Sequence, residues 1–416
     1  MSESNSAWST AISQLEIAAL RCGLDADVLE FLKRHQRIFI CNFAVRMDDG
    51  KINFFEGYRI HHCHALGAIG GGTRFHPQET LDDVKALSLW MTIKNSLNGI
   101  PVGGGKGGVV CDPSKLSKAE LERVCRTYIR SISPMIGTWI DFPGADIGTD
   151  SQTQSWMLDE WEQIHGMVHE PASISGKYEE LGGSQGRPEA TGLGVMFAAR
   201  EACKTLNFDI KEMTLAIQGF GKVGSWAARL LFDAGARVVA LCDVFGGLYN
   251  PNGMNPYELM DYVKKTGKMS GFKNGESISK EELLGIDCDI LIPAAMQSVI
   301  SEKEAMNVKS KIVVEAANGP TTPSGEKCLL ERGIFIVPDI LANGGGTVVA
   351  HLEKVQCLMD NFWTADTVHH QYDQMFVQCY RDVLDISKNM GVSMRMAAWF
   401  KALKRLEIAI KRRGWV

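Results

Sequence analysis

The sequence predicts an α/β protein of two domains: an N-terminal α/β domain, a doubly wound parallel-sheet domain inserted after it, and a helical C-terminal return. Three observations predict it. The chain has 416 residues, more than a single core usually organises. From Thr191 to about Val337 short β-branched runs alternate with helical patterns, as in successive βαβ units. Beyond Gly344-Gly-Gly346 the remainder, Val348 to Arg413, is strongly helical. The boundaries that follow are 1–189 plus 347–416 for the first domain and 190–346 for the inserted one.

The elements can be justified in chain order. Ser6 to about Arg37 is helical, with apolar residues at Ile12, Leu15, Ile17, Ala19 and Leu20, then Val28, Leu29, Phe31 and Leu32. Arg37–Val45 and Ile52–Ile60 flank a turn at Asp48-Asp-Gly50 and alternate as a β-hairpin does. His64 to Arg74 is Gly-rich. Thr80 is placed to cap a helix through Lys94, and Ser117 another to about Ile136. In the inserted domain the candidate strands are 213–218, 237–242, 288–292, 311–315 and 334–337. No internal repeat or low-complexity segment is visible.

Ile100-Pro-Val-Gly-Gly-Gly-Lys-Gly-Gly-Val-Val-Cys-Asp-Pro113 sets Lys106 among five glycines in an otherwise apolar run. Glycines let backbone approach closely, so the run can wall a small polar ligand with Lys106 pointing inward. An ammonium in poorly hydrated surroundings has a lowered pKa and can serve as a base, a nucleophile or a water activator. By itself the pattern is equally a glycine turn with a solvated lysine, so a second feature has to decide.

That feature is Met213–Leu231: an apolar strand, the triplet Gly219-x-Gly221-x-x-Gly224, and an amphipathic helix. Ala236–Cys242 follows as a second strand ending at Asp243, about twenty residues on, as a Rossmann unit requires. The loop Gly219, Phe220, Gly221, Lys222, Val223 and Gly224 would hold a pyrophosphate at the helix N-terminus, and Asp243 would accept from the adenosine ribose hydroxyls. Val244 and Phe245 offer no positive charge to a 2′-phosphate, which favours NAD over NADP.

Net charge is −5, from 44 basic and 49 acidic side chains, and this provides no electrostatic footprint for nucleic acid or an anionic membrane. No apolar stretch approaches a membrane span, and Met-Ser-Glu-Ser-Asn-Ser lacks the regions of a signal peptide, so a cytoplasmic location is expected. Eleven scattered cysteines without a CxxC pair read as reduced thiols. In His61-His62-Cys63-His64, read as a strand, His61 and Cys63 face opposite to His62 and His64; two ligands on one face are too few, so no metal is expected.

Together the motifs FEGYRI (55–60), GGGTRFHP (70–77), MTIKN (91–95), PVGGGKGGV (101–109), GADIGTD (144–150), GGSQGRPEATG (182–192), the Rossmann glycines, EAANGPTTP (315–323) and VPDILANGGG (337–346) identify a resemblance. The chain resembles the glutamate/leucine/phenylalanine/valine dehydrogenases over nearly its whole length, closest in layout to hexameric glutamate dehydrogenases. The resemblance implies NAD-dependent oxidative deamination of an L-amino acid to a 2-oxo acid and ammonia, in a homohexamer. It also implies roles. Lys106 activates the water that attacks the iminium, and Asp146 shuttles protons to and from the amine. Lys94 binds the α-carboxylate, helped by the backbone near Gly71 and by Asn343. Thr191, Ala294, Ala295, Asn318 and Asn343 lie with the cofactor.

Three positions that the resemblance aims at the substrate side chain depart from the glutamate pattern. Gly70 replaces the lysine that holds the side-chain carboxylate, Ala350 replaces a serine, and Gly144 stands where alanine is common. All three remove polarity or bulk, and Gly70 leaves room for a ring. The expectation is therefore a neutral aliphatic or aromatic substrate. The alternative inside the class is a glutamate dehydrogenase with a rearranged carboxylate site, which needs a substitute cation such as His351 or Arg74, or a hydroxyl from Thr347. From a different class, a non-catalytic nucleotide-binding paralogue remains.

Overall fold

The structure, a computed structural model, describes residues 6–416; the first five residues, on which the expected lack of a signal peptide rests, lie outside the described residues. The chain divides into two compact units. The first holds residues up to Arg187 together with Thr347–Val368 and Trp399–Val416, and the second holds Pro188–Gly346 and His369–Ala398. The sequence reading returns all of 347–416 to the first domain. Instead, 369–398 packs on the second unit. Arg200 Nη1 pairs with Asp373 at 3.0 Å, and Arg395 reaches Glu315, Glu326 and Asp339 at 2.6–2.8 Å. Helical periodicity reports that a segment is amphipathic, not which core its apolar face meets.

In the first unit, β1 (Arg37–Arg46), β2 (Ile52–Cys63), β3 (Ile69–His76), β4 (Gly103–Val110) and β5 (Asp141–Ala145) form one sheet in the order β1-β2-β4-β3-β5. The hairpin β1–β2 is antiparallel as expected. The two Gly-rich stretches, which the sequence reading left without a strand assignment, form from Ile69 and from Gly103 the paired parallel strands β3 and β4 inside the sheet, so the alternative of a glycine turn around Lys106 falls. Glycine disfavours strands intrinsically, and close packing overrides that preference. A Cβ on Gly104 would lie 2.4 Å from Thr92 Cα of the helix Leu81–Leu97, and one on Gly71 would run into the Gly105 carbonyl. Only glycine lets the neighbouring strand and this helix approach so far.

The caps foreseen in the sequence are present. Thr80 accepts from the Asp83 N–H, and Ser117 and Glu120 form a reciprocal capping box on the helix Lys118–Ile132. The N-terminal helical stretch is two helices, Ala7–Cys22 and Ala26–Leu32, because Gly23 takes the left-handed conformation between them. His61, His62 and His64 point to different partners, respectively Asp141, Thr92 with the Leu32 carbonyl, and Gln36.

The second unit is a seven-stranded doubly wound sheet. Its strands are β6 (Thr214–Gln218), β7 (Arg237–Cys242), β8 (Gly247–Tyr249), β9 (Glu276–Ile278), β10 (Ile290–Pro293), β11 (Ile312–Val314) and β12 (Phe335–Val337). They are ordered β12-β11-β10-β6-β7-β8-β9; the first five are mutually parallel, and β8 and β9 add antiparallel. The five parallel strands coincide with the five expected from the sequence to within two residues. The edge strands β8 and β9, three residues each, are too short to show a pattern. No described helix is long and apolar enough to cross a membrane.

Candidate active site

In register, Gly70 pairs with Gly104 and Phe142, and Gly72 pairs with Gly144. Paired residues share a face and alternate residues along a strand share one too, so Gly70, Gly72, Gly104, Lys106, Phe142 and Gly144 all present to one side of the first sheet. That side carries the helix Leu81–Leu97, with Thr92 and Val84 against Gly104 and Gly108. Lys94, on the same helix, is close enough that its charge acts on Lys106. Asp146 follows β5 directly, and its Cβ lies 2.8 Å from where a Cβ on Gly72 would stand.

Lys106 Nζ donates to Asp146 Oδ2. The lysine is 5% exposed. Burial, aided by the nearby Arg74, holds its pKa well below the ordinary lysine value. Arg74 Nε lies 3.5 Å from Asp146 Oδ2 and 3.7 Å from Glu79 Oε2. The Arg74 charge thus faces two carboxylates beside Lys106, which weighs against it as the substitute cation considered from the sequence. Burial raises the pKa of Glu79, a neighbour of Lys106 that motif reading missed. The only hint of it was its place in the short turn between Arg74 and the Thr80 cap.

Beneath this face, Arg59 and Asp141 form a fully buried pair, with Nε to Oδ2 at 2.6 Å, and Arg59 also donates to the Gly71 carbonyl at 3.3 Å. This bracket locks β2, β3 and β5 in register, which holds the site's floor rigid. Thr347 Oγ1 donates to Asn95 Oδ1, whose amide in turn donates to the Gly103 carbonyl at 2.7 Å. The Thr347 hydroxyl proton is therefore engaged with the protein. His351 is held neutral by burial, with its pKa pushed down to about 4, so it is no cation either.

Gly70 does not leave room for a ring. A Cβ there would lie 2.8 Å from Val102 Cγ1 and 2.9 Å from Phe142 Cζ, so those side chains already fill the space. Gly144, by contrast, has room for a methyl group, with its nearest neighbours at 3.9 Å. The helix Gly345–Met359 carries Thr347, Ala350 and Lys354 at helical spacing on one side.

In the second unit, Gly219 has φ +104°, and a Cβ on Gly224 would strike the Gly219 carbonyl oxygen. Gly221 caps the helix Lys222–Asp233, so the start of that helix faces the glycine loop, where an anion would meet its dipole. Phe220, Lys222 and Val223 complete that loop. Ala294 and Ala295, just after β10, lie against Gly219. Asp243 directly follows β7, half-buried, and accepts from the N–H groups of Phe245 and Gly246. Asn343 donates to Asn318 Oδ1 at 2.9 Å and to the Ala316 carbonyl, so these two are brought together, and Thr191 opens the helix Ala190–Thr205. The glycine cradle and the helix start behind it fit a dinucleotide pyrophosphate.

The comparisons agree with this geometry. The sequence model of the Glutamate/Leucine/Phenylalanine/Valine dehydrogenase family matches residues 182–414, and that of the Glu/Leu/Phe/Val dehydrogenase dimerisation domain matches 35–163. The chain belongs to this family. It is accordingly an amino-acid dehydrogenase, acting on the CH–NH2 group with a nicotinamide dinucleotide as acceptor. Among similar proteins, the glutamate dehydrogenase of Thermotoga maritima is 44% identical over 98% of both chains. The NAD-specific glutamate dehydrogenase of Staphylococcus aureus is 40% identical over the full length of both. Among solved structures, the hetero-hexameric glutamate dehydrogenase of Thermus thermophilus, in a Leu-bound form, superposes with a TM-score of 0.94 at 34% identity, covering 99% of this chain and 98% of that one.

Proposed function

We propose that the protein catalyses the NAD-dependent oxidative deamination of L-glutamate to the 2-oxo acid and ammonia, with Lys106 and Asp146 as its catalytic groups. The Lys106–Asp146 pair on the glycine floor carries this reading, because it joins a desolvated lysine to a carboxylate within hydrogen-bond reach. Asp146 accepts a proton from the substrate ammonium, since the amine must be neutral before hydride can leave Cα. When bound, NAD supplies the acceptor for that hydride, and Asp243 and the Gly219–Gly224 loop would hold it. Lys106, its pKa lowered by desolvation, repels the cationic iminium less than an ordinary lysine does and in its unprotonated form takes a proton from the water that adds to it. Lys94 fixes the α-carboxylate as a cation. Collapse of the carbinolamine releases ammonia, its nitrogen protonated through Asp146.

Glutamate now replaces the neutral-side-chain expectation as the preferred substrate. The relatives similar over their whole length are named for glutamate, and the extra volume that Gly70 was expected to open is filled by Val102 and Phe142. The neutral reading keeps one observation in its favour, the absence of a polar group at both Gly70 and Ala350. NADH formation at alkaline pH against a panel of L-amino acids, with NAD and NADP in parallel, tests both. Glutamate with NAD as the best pair supports the proposal; leucine or phenylalanine as the best substrate overturns it. Assembly as a homo-oligomer, a hexamer by resemblance, is part of the proposal. It is supported by the apolar side chains of Ile38, Ile40, Ile52 and Phe54 exposed on the β1–β2 edge hairpin.

A further inference from the structure

We propose that Lys354 is the specificity-determining cation of this enzyme: it holds the side-chain carboxylate of the substrate from the C-terminal helix, in place of a lysine on β3. The inference rests on the glutamate reading above.

Lys354 is 7% exposed, yet among the described residues no carboxylate lies within ion-pair distance of it. Its ammonium instead sits 4.4 Å from the centroid of the Phe142 ring and 5.1 Å from that of Trp139. An aromatic face offers a buried cation much less than a carboxylate does. Burial lowers its pKa to about 8 against the opposing pull of Asp141 and Glu170, which act on it from beyond contact distance, while the neighbouring His351 is neutral, and the ammonium stays mostly protonated at neutral pH. A buried cation with no carboxylate in contact is the complement of a buried carboxylate that has to find a partner.

The placement matches. Phe142 stands on the same face of the sheet as Lys106 and Asp146, and its Cζ is 2.9 Å from the Cβ position of Gly70. Lys354 therefore lies across the ring that fills the space beside Gly70. On its own helix it is one turn beyond Ala350, and helical side chains lean toward the N-terminus, so its stem covers the ground that the small Ala350 leaves open. A cation absent from β3 is thus supplied by a second element, against the ring that fills the space beside Gly70.

The helix turn that bears Lys354 is fixed with unusual care. The adjacent Glu353, 1% exposed, accepts from Lys177 Nζ at 2.7 Å, from the Gly176 N–H at 2.9 Å and from Ser175 Oγ at 3.1 Å. The Ser175 N–H donates to the Pro143 carbonyl of β5 at 2.8 Å. The strand that holds Phe142 and the helix that holds Lys354 are therefore tied through one residue, which sets the height of the ammonium above the ring.

The test compares L-glutamate with L-norvaline, which lacks the side-chain carboxylate, in the wild type, in Lys354→Met and in Lys354→Arg. Methionine keeps the apolar stem against Phe142 and Trp139. Lys354→Met is expected to lower kcat/KM for glutamate relative to norvaline on the order of 100-fold, mainly through KM, since it removes one partner of a desolvated charge pair. Lys354→Arg should keep most of the preference. In the wild type, KM for glutamate should rise as pH passes about 8, while KM for norvaline should not. That profile decides the matter if the methionine variant does not fold. A wild type that uses glutamate, with a glutamate/norvaline ratio unchanged in Lys354→Met, overturns the role of Lys354 and leaves the glutamate reading standing. A wild type that uses norvaline or leucine but not glutamate overturns both.

Discussion

Replacing Gly70 by alanine adds one methyl group at the position where related glutamate enzymes are expected to carry a lysine. The structure makes this small change costly. The new Cβ would stand 2.8 Å from Val102 Cγ1, 2.9 Å from Phe142 Cζ and 3.2 Å from Phe142 Cε1, all inside van der Waals contact. Val102 and Phe142 are each 3% exposed, and Lys354 lies over the Phe142 ring, so neither neighbour has free space to retreat into. Overpacking of this kind costs about 1–3 kcal/mol. At roughly 2–4 °C per kcal/mol for a unit of this size, the thermal midpoint should fall by about 2–12 °C. Thermal unfolding followed by circular dichroism measures it, and Val102→Ala in the same chain should recover part of the loss, because the two changes share one space. A Gly70→Ala protein as stable as the wild type would mean that Phe142 and Val102 do not occupy the place of the missing side chain. The same argument reverses the simpler expectation that Gly70→Lys would restore glutamate binding: the longer side chain meets the same obstruction first.

Three further outcomes follow from the geometry. Lys106→Ala should lower kcat by about 10²–10⁴-fold while NAD binding, read by intrinsic fluorescence or thermal protection, stays close to wild type; a rate within tenfold of wild type removes the catalytic assignment. Asp243→Ser should raise KM for NAD and narrow the preference over NADP, measured as the ratio of kcat/KM values, and an unchanged ratio means that Asp243 does not meet the ribose. His62 is buried and neutral, its pKa pushed from 6.5 to about 3. The unfolded state therefore binds a proton in that window that the folded state does not. Stability should be full above pH 6.5 and fall as pH drops toward 3, by about 1.4 kcal/mol per pH unit for this group. Urea unfolding across pH 4–7 should show that slope shrink by one proton's worth in His62→Gln, and an identical slope would show that His62 charges in the folded protein.

Much of the protein was legible in the chain because its signals are local. The glycine spacing at 219–224, the acid at Asp243, the β-branched runs of the five parallel strands and the caps at Thr80 and Ser117 depend on residues near in sequence, and each is found where the pattern put it. Motifs brought Lys106, Asp146 and Lys94 to notice for the same reason. What tertiary structure alone decided is what depends on approach from a distance. Glycine runs that carry no strand signal are the inner strands β3 and β4, because the helix Leu81–Leu97 and a neighbouring strand come too close for any Cβ. The helix segment 369–398 belongs with the second unit, because the buried Tyr372 and Phe376 pack on Phe197 and ion pairs fix Asp373 and Arg395 there, partners that periodicity cannot name. The gap left at Gly70 looked empty in sequence, where a missing side chain carries no sign of what replaces it. Only packing shows that Phe142 fills the space and that Lys354, 284 positions further along the chain, sets a buried charge above it.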